Sequence, residues 1–483
     1  MKKLLFLIGI LSSGLYGASI DHIQTYSPDY LANQAQTGMI DEVSAYYNPA
    51  GLSRLDKGKY VHLGLQLANG HEKMSYKGKE HKAHLTQLIP NVSLTSVDDN
   101  GAYFFTFGGL AGGGKLEYDG VSGIDVLSDL AQFQPLGVYD KGSTLTGKNL
   151  YEQVTLGRAF TINDQLSVSV AGRIVHGSRN LSGTLNIGTN PSTAYKQAKV
   201  QQVTQEVSKA VDAATQGSGL SAAQIAAIKQ QKTTQALTLL QTKMNALQQN
   251  GLSGDLDSKR EAWGYGFQIG VNYKVNDKLN LAARYDSRIK MNFKAKGSEN
   301  QLQTADIIGS NIGLSTFYPQ YAINSKIRRD LPAILSVGAS YKVTDNYLVS
   351  TSANYYFNRH AKMDRVTTFG GHEHGRDYKN GWEIALGNEY KLNDKFTLIG
   401  SVNYARTGAK NSSFNDTEYA LNSVTLGAGL RYKYDETLSI TGSVAHFIYD
   451  KENGNFKEKY KVNDNQKYHK EITAFGLSVT KKF

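Results

Sequence analysis

The chain has no cysteine, which excludes a disulfide framework and any cysteine-ligated metal. It has only seven prolines, a scarcity that fits a protein made of many long strands. Past the first residues it has no apolar run approaching the ~20 residues a membrane-spanning helix needs. Acidic residues are fewer than basic ones, leaving a net charge of +11. Nucleic acid is the usual partner of such a surplus, but an exported chain does not meet it, so no nucleic acid is expected. Export is read from Lys2 and Lys3, the apolar stretch Leu4 to Leu15, and the small residues Gly17, Ala18 and Ser19. Together they predict a secretory signal peptide over residues 1–18. The basic surplus then faces lipopolysaccharide phosphates outside or anionic ligands inside, or it solvates loops such as Lys451 to Lys461. What is abundant is glycine (48) and tyrosine (30), with 40% hydrophobic residues. That balance suits strands that are apolar on one face only.

Six short turns rich in acid and amide side chains separate alternating runs. They are Asp98-Asp99-Asn100-Gly101, Asn163-Asp164, Asn276-Asp277, Thr344-Asp345-Asn346, Asn393-Asp394 and Asp435-Glu436. Aromatic residues stand beside most of them, among them Tyr273, Tyr341, Tyr347, Tyr390, Phe396, Tyr432 and Tyr434. The run from Trp263 to Tyr273 places every large apolar residue on one parity, and Leu279 to Met291 continues that outward set after the third turn. The opposite parity carries Asn280, Arg284, Asp286, Arg288, Lys290 and Asn292. Further runs open at Leu331, Trp382, Phe396, Val424 and Leu438, and the last ends in Phe475, Leu477, Val479 and Phe483. With the run that follows the fourth turn from Tyr347, and the earlier runs near 59–70, 84–97, 102–110, 150–162 and 166–182, the total is fourteen. Six tight turns and seven long loops then place both termini on the periplasmic side. The predicted fold is an all-β membrane protein, a fourteen-stranded antiparallel transmembrane β-barrel whose closure leaves no edge strand in lipid. Its place is the bacterial outer membrane. A final phenylalanine, Phe483, resembles the signal read by the barrel assembly machinery.

Two segments fall outside the wall. Residues 19–58 precede the first strand and are expected to form an N-terminal hatch inside the barrel of residues 59–483. Residues 192–250 read as a helical hairpin inserted in an extracellular loop. Val200, Val203, Val207 and Val211 recur at helical spacing, Gly217-Ser218-Gly219 breaks the pattern, and Ser221 with Gln224 forms a capping box. The second helix has an apolar stripe of Ile225, Ile228, Leu237, Leu240, Met244 and Leu247. That stripe packs on the partner helix, on another loop, or on an amphiphilic ligand.

Asp41 to Leu55, with its core Tyr-Tyr-Asn-Pro-Ala-Gly-Leu-Ser-Arg-Leu, resembles the hatch of the outer-membrane long-chain fatty-acid transporters, the FadL-like family. Trp263 to Phe293, Leu331-Pro332-Ala333 and Trp382 to Tyr404 resemble later segments of that family, in order. The resemblance implies a plugged fourteen-stranded barrel that takes up hydrophobic molecules passively. Ligand is captured outside, the hatch moves, and release is sideways through a kink in the third strand. Gly108 and Gly109, close to Gly112-Gly113-Gly114, are the candidates for that kink, with a flexible entry into a loop as the alternative. Asn48, Pro49 and Ala50 form the hatch motif, or an ordinary turn that Pro49 makes rigid.

A long-chain acid needs an apolar path, because water rejects its tail at ~0.8 kcal/mol per methylene. It also needs an anchor for its carboxylate. Arg284, Arg288 and Arg173 are candidates, since arginine can hold a carboxylate with two parallel bonds. Alternatively they pair with inward acids such as Asp286, Glu383 and Glu389. Lys326, Arg328 and Arg329 are candidate contacts to lipopolysaccharide, or a solvated cluster. Gly109 to Lys115 matches a phosphate-loop pattern, but Leu116 stands where serine or threonine is needed. His372-Glu373-His374 lacks a third metal ligand. No nucleophile motif stands out, so neither enzyme activity, metal nor cofactor is expected. The same fold could instead carry small aromatic or other hydrophobic compounds. An adhesin or receptor using the helical insert, or an open porin, are the remaining readings.

Overall fold

The computed structural model describes residues 26–120, 122–131, 133–296, 301–304, 312–313, 323–364, 366–367, 373–374, 378–414 and 419–483. The predicted leader, residues 19–25 and His372 lie outside the described residues. Fourteen antiparallel strands form the wall: β1 (Gly58–Tyr76), β2 (Lys79–Asp98), β3 (Gly101–Tyr118), β4 (Thr144–Thr161), β5 (Leu166–Thr189), β6 (Leu252–Lys274) and β7 (Leu279–Asp286). They continue as β8 (Ile334–Thr344), β9 (Tyr347–Tyr356), β10 (Gly381–Lys391), β11 (Phe396–Arg406), β12 (Ser423–Lys433), β13 (Leu438–Tyr449) and β14 (Lys467–Lys482). β1 pairs with β14 from Tyr60↔Lys482 to Ser75↔Lys467, which closes the ring. Outward positions stay apolar and exposed, as Tyr265, Phe267, Ile269 and Val271 do on β6. Inward positions are buried and mostly polar, as Gln268 and Asn272 are on the same strand.

The six predicted turns all lie at one end of the barrel, beside Phe483. Four of them share one hydrogen-bonding device. Asn163 Oδ1 accepts from the N–H groups of Gln165 and Leu166 at 2.9 and 2.8 Å. Asn276, Asn393 and Asp435 do the same two and three residues on. A short side-chain acceptor thus closes each hairpin. The flanking aromatics meet across strands, with ring centroids 5.0 Å apart for Phe396 and Tyr432 and 6.3 Å for Tyr347 and Tyr390.

At the other end the expectation of seven long loops fails once. β1 and β2 are joined by Lys77 and Gly78 alone, both at positive φ (49° and 84°). Such a pair matches the twist of a two-residue hairpin. The first six strands are also longer than the ten-residue runs predicted, 18 to 24 residues against 8 to 12 for β7 to β13. Their alternation continues beyond the ~9–11 residues that cross a bilayer, so this side of the wall is longer than a bilayer span. On it stand α1 (Thr193–Thr215) and α2 (Ala222–Asn250). Ser221 and Gln224 make the predicted capping box, and Gly251 ends α2 at φ 67°. The two helices pack on each other, with Val211 buried and Val200 left exposed, and at the base Met244 and Leu247 are buried.

Residues 26–55 fold as the short helices Pro28–Ala32 and Ser44–Tyr47 and the 3-10 helix Pro49–Arg54. Hydroxyl and amide side chains pointing inward from the strands hold them on all sides. Ser443 Oγ donates to Pro28 O at 2.7 Å, Ser167 Oγ to Ala50 O at 2.7 Å and Ser340 Oγ to Gly38 O at 2.8 Å. Gly38 lies so close to β8 that a Cβ would stand 2.3 to 2.6 Å from backbone atoms of Ala339. Gly38→Ala is therefore expected to push the segment off the wall at a cost of about 1–3 kcal/mol. Urea titration of the refolded protein would show a lower midpoint; an unchanged one removes this contact from the account.

Candidate ligand chamber and wall opening

β2 and β3 pair from Asp98↔Gly101 to Asn91↔Gly108, and again from Leu85↔Leu116 to Ala83↔Tyr118. Between these stretches five residues of β2 (86–90) face seven of β3 (109–115) without a ladder. On its other side β3 again has two residues too many, four against two between Gly109↔Glu152 and Gly114↔Asn149. The excess is taken up in bulges, with Gly112 at φ 127° and Gly114 at φ 68°. Side chains are disfavoured at such angles, so glycine is needed there. Pro90 on the facing edge has no N–H to offer a ladder. Gln87 turns its amide onto its neighbour, donating to Leu88 O at 2.8 Å. A window in the hydrogen-bond ladder thus runs from Asn91 to Leu85 beside Gly108 and Gly109, and side chains occupy it: a Cβ on Gly109 would stand 2.9 Å from Ile89 and one on Gly114 2.9 Å from Leu85.

Behind the window lies a buried apolar cluster. Leu110, 2% exposed, turns inward from the bulge. It joins a buried cluster with Tyr26, Tyr30, Tyr46 and Tyr47 of the N-terminal segment and Tyr151 and Val175 of the wall. Tyr30 and Tyr47 stack at 5.5 Å, Tyr26 and Tyr46 at 6.1 Å. The cluster also holds Phe293, and Ile289 and Met291, which the alternation had placed outside. The reason is one extra residue. Between Gln268↔Asp286 and Glu261↔Lys294, β6 has six residues and its partner segment seven. An odd excess exchanges the two faces. The slip brings Ile289, Met291 and Phe293 in, and turns Arg288, Lys290 and Asn292 out.

Arg288 accordingly does not share a lumen face with Arg284. It is exposed, donates to His360 O at 2.9 Å and lies 3.6 Å from Asp330. Arg284 and Arg173 do face the lumen, and both are engaged by Asp286. Arg284 Nε donates to Asp286 Oδ2 at 3.0 Å, and Arg173 stands 3.3 Å from Oδ1. Gln268 Nε2 donates to that same Oδ1 at 2.7 Å. Arg284 also donates to Tyr46 O, and Arg173 makes two bonds to Gln153 Oε1. The alternative of pairing with inward acids is the arrangement observed. Glu389 likewise binds Arg431 at 2.9 Å, and Glu383 accepts from Asn354 and Tyr356.

Asn48 Nδ2 donates to Met39 O at 3.0 Å and to Asn272 Oδ1 of β6 at 2.7 Å. Pro49 opens the 3-10 helix, and Asn48 sits at φ −143°, ψ 63°, short of the extended region expected before proline. The motif is thus sewn to the wall through Asn272 and Ser167. Of the basic trio, Arg328 forms two 2.8 Å bonds to Asp330, and Arg329 is buried. Lys326 alone is exposed, opposite Lys294.

Near the turn end Asp41 accepts from Ser44 Oγ at 3.1 Å, while its second oxygen is enclosed without a hydrogen bond. Burial pushes its carboxyl up to about 7; Arg431 opposes the shift, and Glu42, Glu389 and Asp29 add to it. An unfolded aspartate ionises near ~3.9. Between those values the folded chain binds the extra proton, so stability should fall as pH rises from about 4 to about 7 and level off above. Asp41→Asn should remove this slope and be the more stable protein above pH 7. Urea midpoints between pH 4.5 and 8 measure both.

Sequence comparison matches residues 140–483 to the family described as "Outer membrane protein transport protein (OMPP1/FadL/TodX)". Outer membrane protein P1 of Haemophilus influenzae is 24% identical over 257 residues, covering 51% of this chain and 52% of that protein. The long-chain fatty acid transport protein of Escherichia coli is 21% identical over 275 residues, 56% of this chain and 58% of the relative. The chain spans about half the length of the curated relatives it matches. Among solved structures, the toluene transporter TodX of Pseudomonas putida superposes with a TM-score of 0.63 at 16% identity, covering 96% of this chain and 99% of that one. A FadL homologue of Pseudomonas aeruginosa gives 0.62 at 16% identity, covering 95% and 98%. These two likenesses are of fold alone. The match over residues 140–483, on a closed barrel of fourteen strands, makes this chain a member of the OMPP1/FadL/TodX family.

Proposed function

We propose that this protein is a passive channel of the bacterial outer membrane that admits hydrophobic molecules and releases them sideways into the bilayer. The observation that carries this is the interrupted β2–β3 ladder, with the buried apolar cluster directly behind it. An apolar solute gains ~25 cal/mol for each Å² it withdraws from water. A route from an apolar chamber through the wall to lipid never returns that gain. Residues 26–55 act as the hatch that blocks an aqueous exit, and ligand binding shifts Asn48-Pro49-Ala50. The six tight turns and both termini face the periplasm, and the tall strands and helical hairpin face outward. Exposed at the β1–β14 seam, Phe483 is the contact for the assembly machinery.

Long-chain fatty acids are the first substrate reading, supported by the fatty-acid transporters among the relatives. A second reading, small aromatic compounds, is favoured by one specific observation. Arg173 and Arg284 are already bound by Asp286, so neither guanidinium is left to hold a carboxylate. Labelled oleate and labelled toluene are given to cells lacking their own transporter, with and without this protein. Faster entry of either supports the channel and identifies its substrate; no gain for either rejects it.

A further inference from the structure

We propose that the outward face of the tall wall, just beyond its apolar band, is a docking surface for a phosphorylated glycolipid of the outer leaflet. The inference rests on the orientation given above.

Lys115 of β3 stands directly opposite Lys148 of β4. Lys148 is paired with Asn180 of β5, and Asn180 with Lys259 of β6. The row continues to Lys296, opposite Lys259. One rung towards the membrane, Lys294 and Lys326 face each other. All six point away from the lumen and are exposed. Like charges directly opposed across strands repel. Such a row is therefore unfavourable unless anions bridge it.

The described carboxylates cover only part of the charge. Glu117 holds Lys115, Glu261 holds Lys296, and Asp257 lies 3.9 Å from Lys259. Lys294 has Glu261 opposite it in the ladder, whereas Lys148 and Lys326 form no ion pair among the described residues. The height is also specific. Lys259 is the second outward position beyond Trp263, the last large aromatic on β6, which is 62% exposed. Trp263 marks where the hydrocarbon ends, so the row lies at the level of lipid phosphates.

Neighbouring strands are about 4.8 Å apart, so Lys115 to Lys259 spans about 14 Å. A lipid with a single phosphodiester meets one lysine pair. An acylated sugar headgroup with two phosphate monoesters can meet both ends of the row while its chains lie along the apolar band below. This complementarity selects the phosphorylated glycolipid. Of the contact predicted at Lys326, Arg328 and Arg329 it keeps Lys326 alone, since Asp330 holds Arg328 and Arg329 is buried.

The test uses the purified full-length protein in micelles, titrated with diphosphorylated lipid A, its dephosphorylated form, and phosphatidylglycerol. Lys148→Gln with Lys259→Gln is expected to weaken binding of diphosphorylated lipid A about thirtyfold at low salt. Lys148→Arg with Lys259→Arg should retain it. Unchanged binding by the glutamine pair, or equal binding of the dephosphorylated form or of phosphatidylglycerol, overturns the proposal. The chain has no cysteine, so Lys148→Cys gives a single thiol for an impermeant maleimide on intact cells. No labelling would mean that the orientation itself has failed. Labelling without lipid A binding would reject the docking surface alone.

Discussion

Deleting Gly112 and Gly113 is expected to reduce uptake to that of cells lacking the protein, while leaving a folded and more stable barrel. β3 has two residues too many against both β2 and β4. Removing two restores one continuous register on each side. Because two is even, no side chain changes face. The backbone groups of residues 86–90, Pro90 excepted, regain ladder partners, which accounts for the gain in stability. A hydrophobic solute then has only the lumen ahead of it, where Gln153, Gln268, Asn272 and Asp286 present buried polar groups. Heat-modified migration on gels checks folding, and labelled-oleate or toluene uptake checks function. A folded deletion protein that still transports would mean that the exit is elsewhere.

Asp286→Ala should have the largest effect on stability of any single change considered. Asp286 is 1% exposed and is shared by Arg284 and Arg173, themselves 2% and 3% exposed. Removing it takes the shared carboxylate from two buried cations. Breaking a buried pair in this way costs about 3–5 kcal/mol. Arg284 also holds the Tyr46 carbonyl, so the loss should spread to the N-terminal segment and expose it to added protease. Arg288→Ala, on an exposed side chain, should change stability by no more than about 0.5 kcal/mol. The companion variant Arg284→Ala separates the roles of the arginine. If it lowers oleate and toluene uptake alike, Arg284 supports the hatch; if it lowers oleate alone, it holds a carboxylate.

The wall could be read from the chain because its determinants are local. Asn163, Asn276, Asn393 and Asp435 make their turn bonds within three residues. The capping box at Ser221 is equally local. The apolar cluster could not be read, because it depends on one residue of register. Simple alternation placed Ile289 and Met291 outward and Arg288 inward, and a single-residue excess against β6 reverses them. The identity of the partner strand residues, which no local pattern contains, decides that count. Asp286 was visible as an inward acid, but its role as the shared partner of arginines on β5 and β7 needs the closed ring. The window was half legible. Gly108 and Gly109 suggested a kink, and Pro90, in mid-strand on the facing edge, is the second signal.

Photo-crosslinking tests lateral exit most directly. A fatty acid with a diazirine on its tail is bound to the protein in bilayers, illuminated, and the attached peptides are identified. Exit through the wall predicts label on both edges of the window, residues 86–90 and 109–115. Label confined to residues around Asp41 and the tight turns, with none at the window, would instead show passage through the barrel to the periplasm and contradict the proposed route.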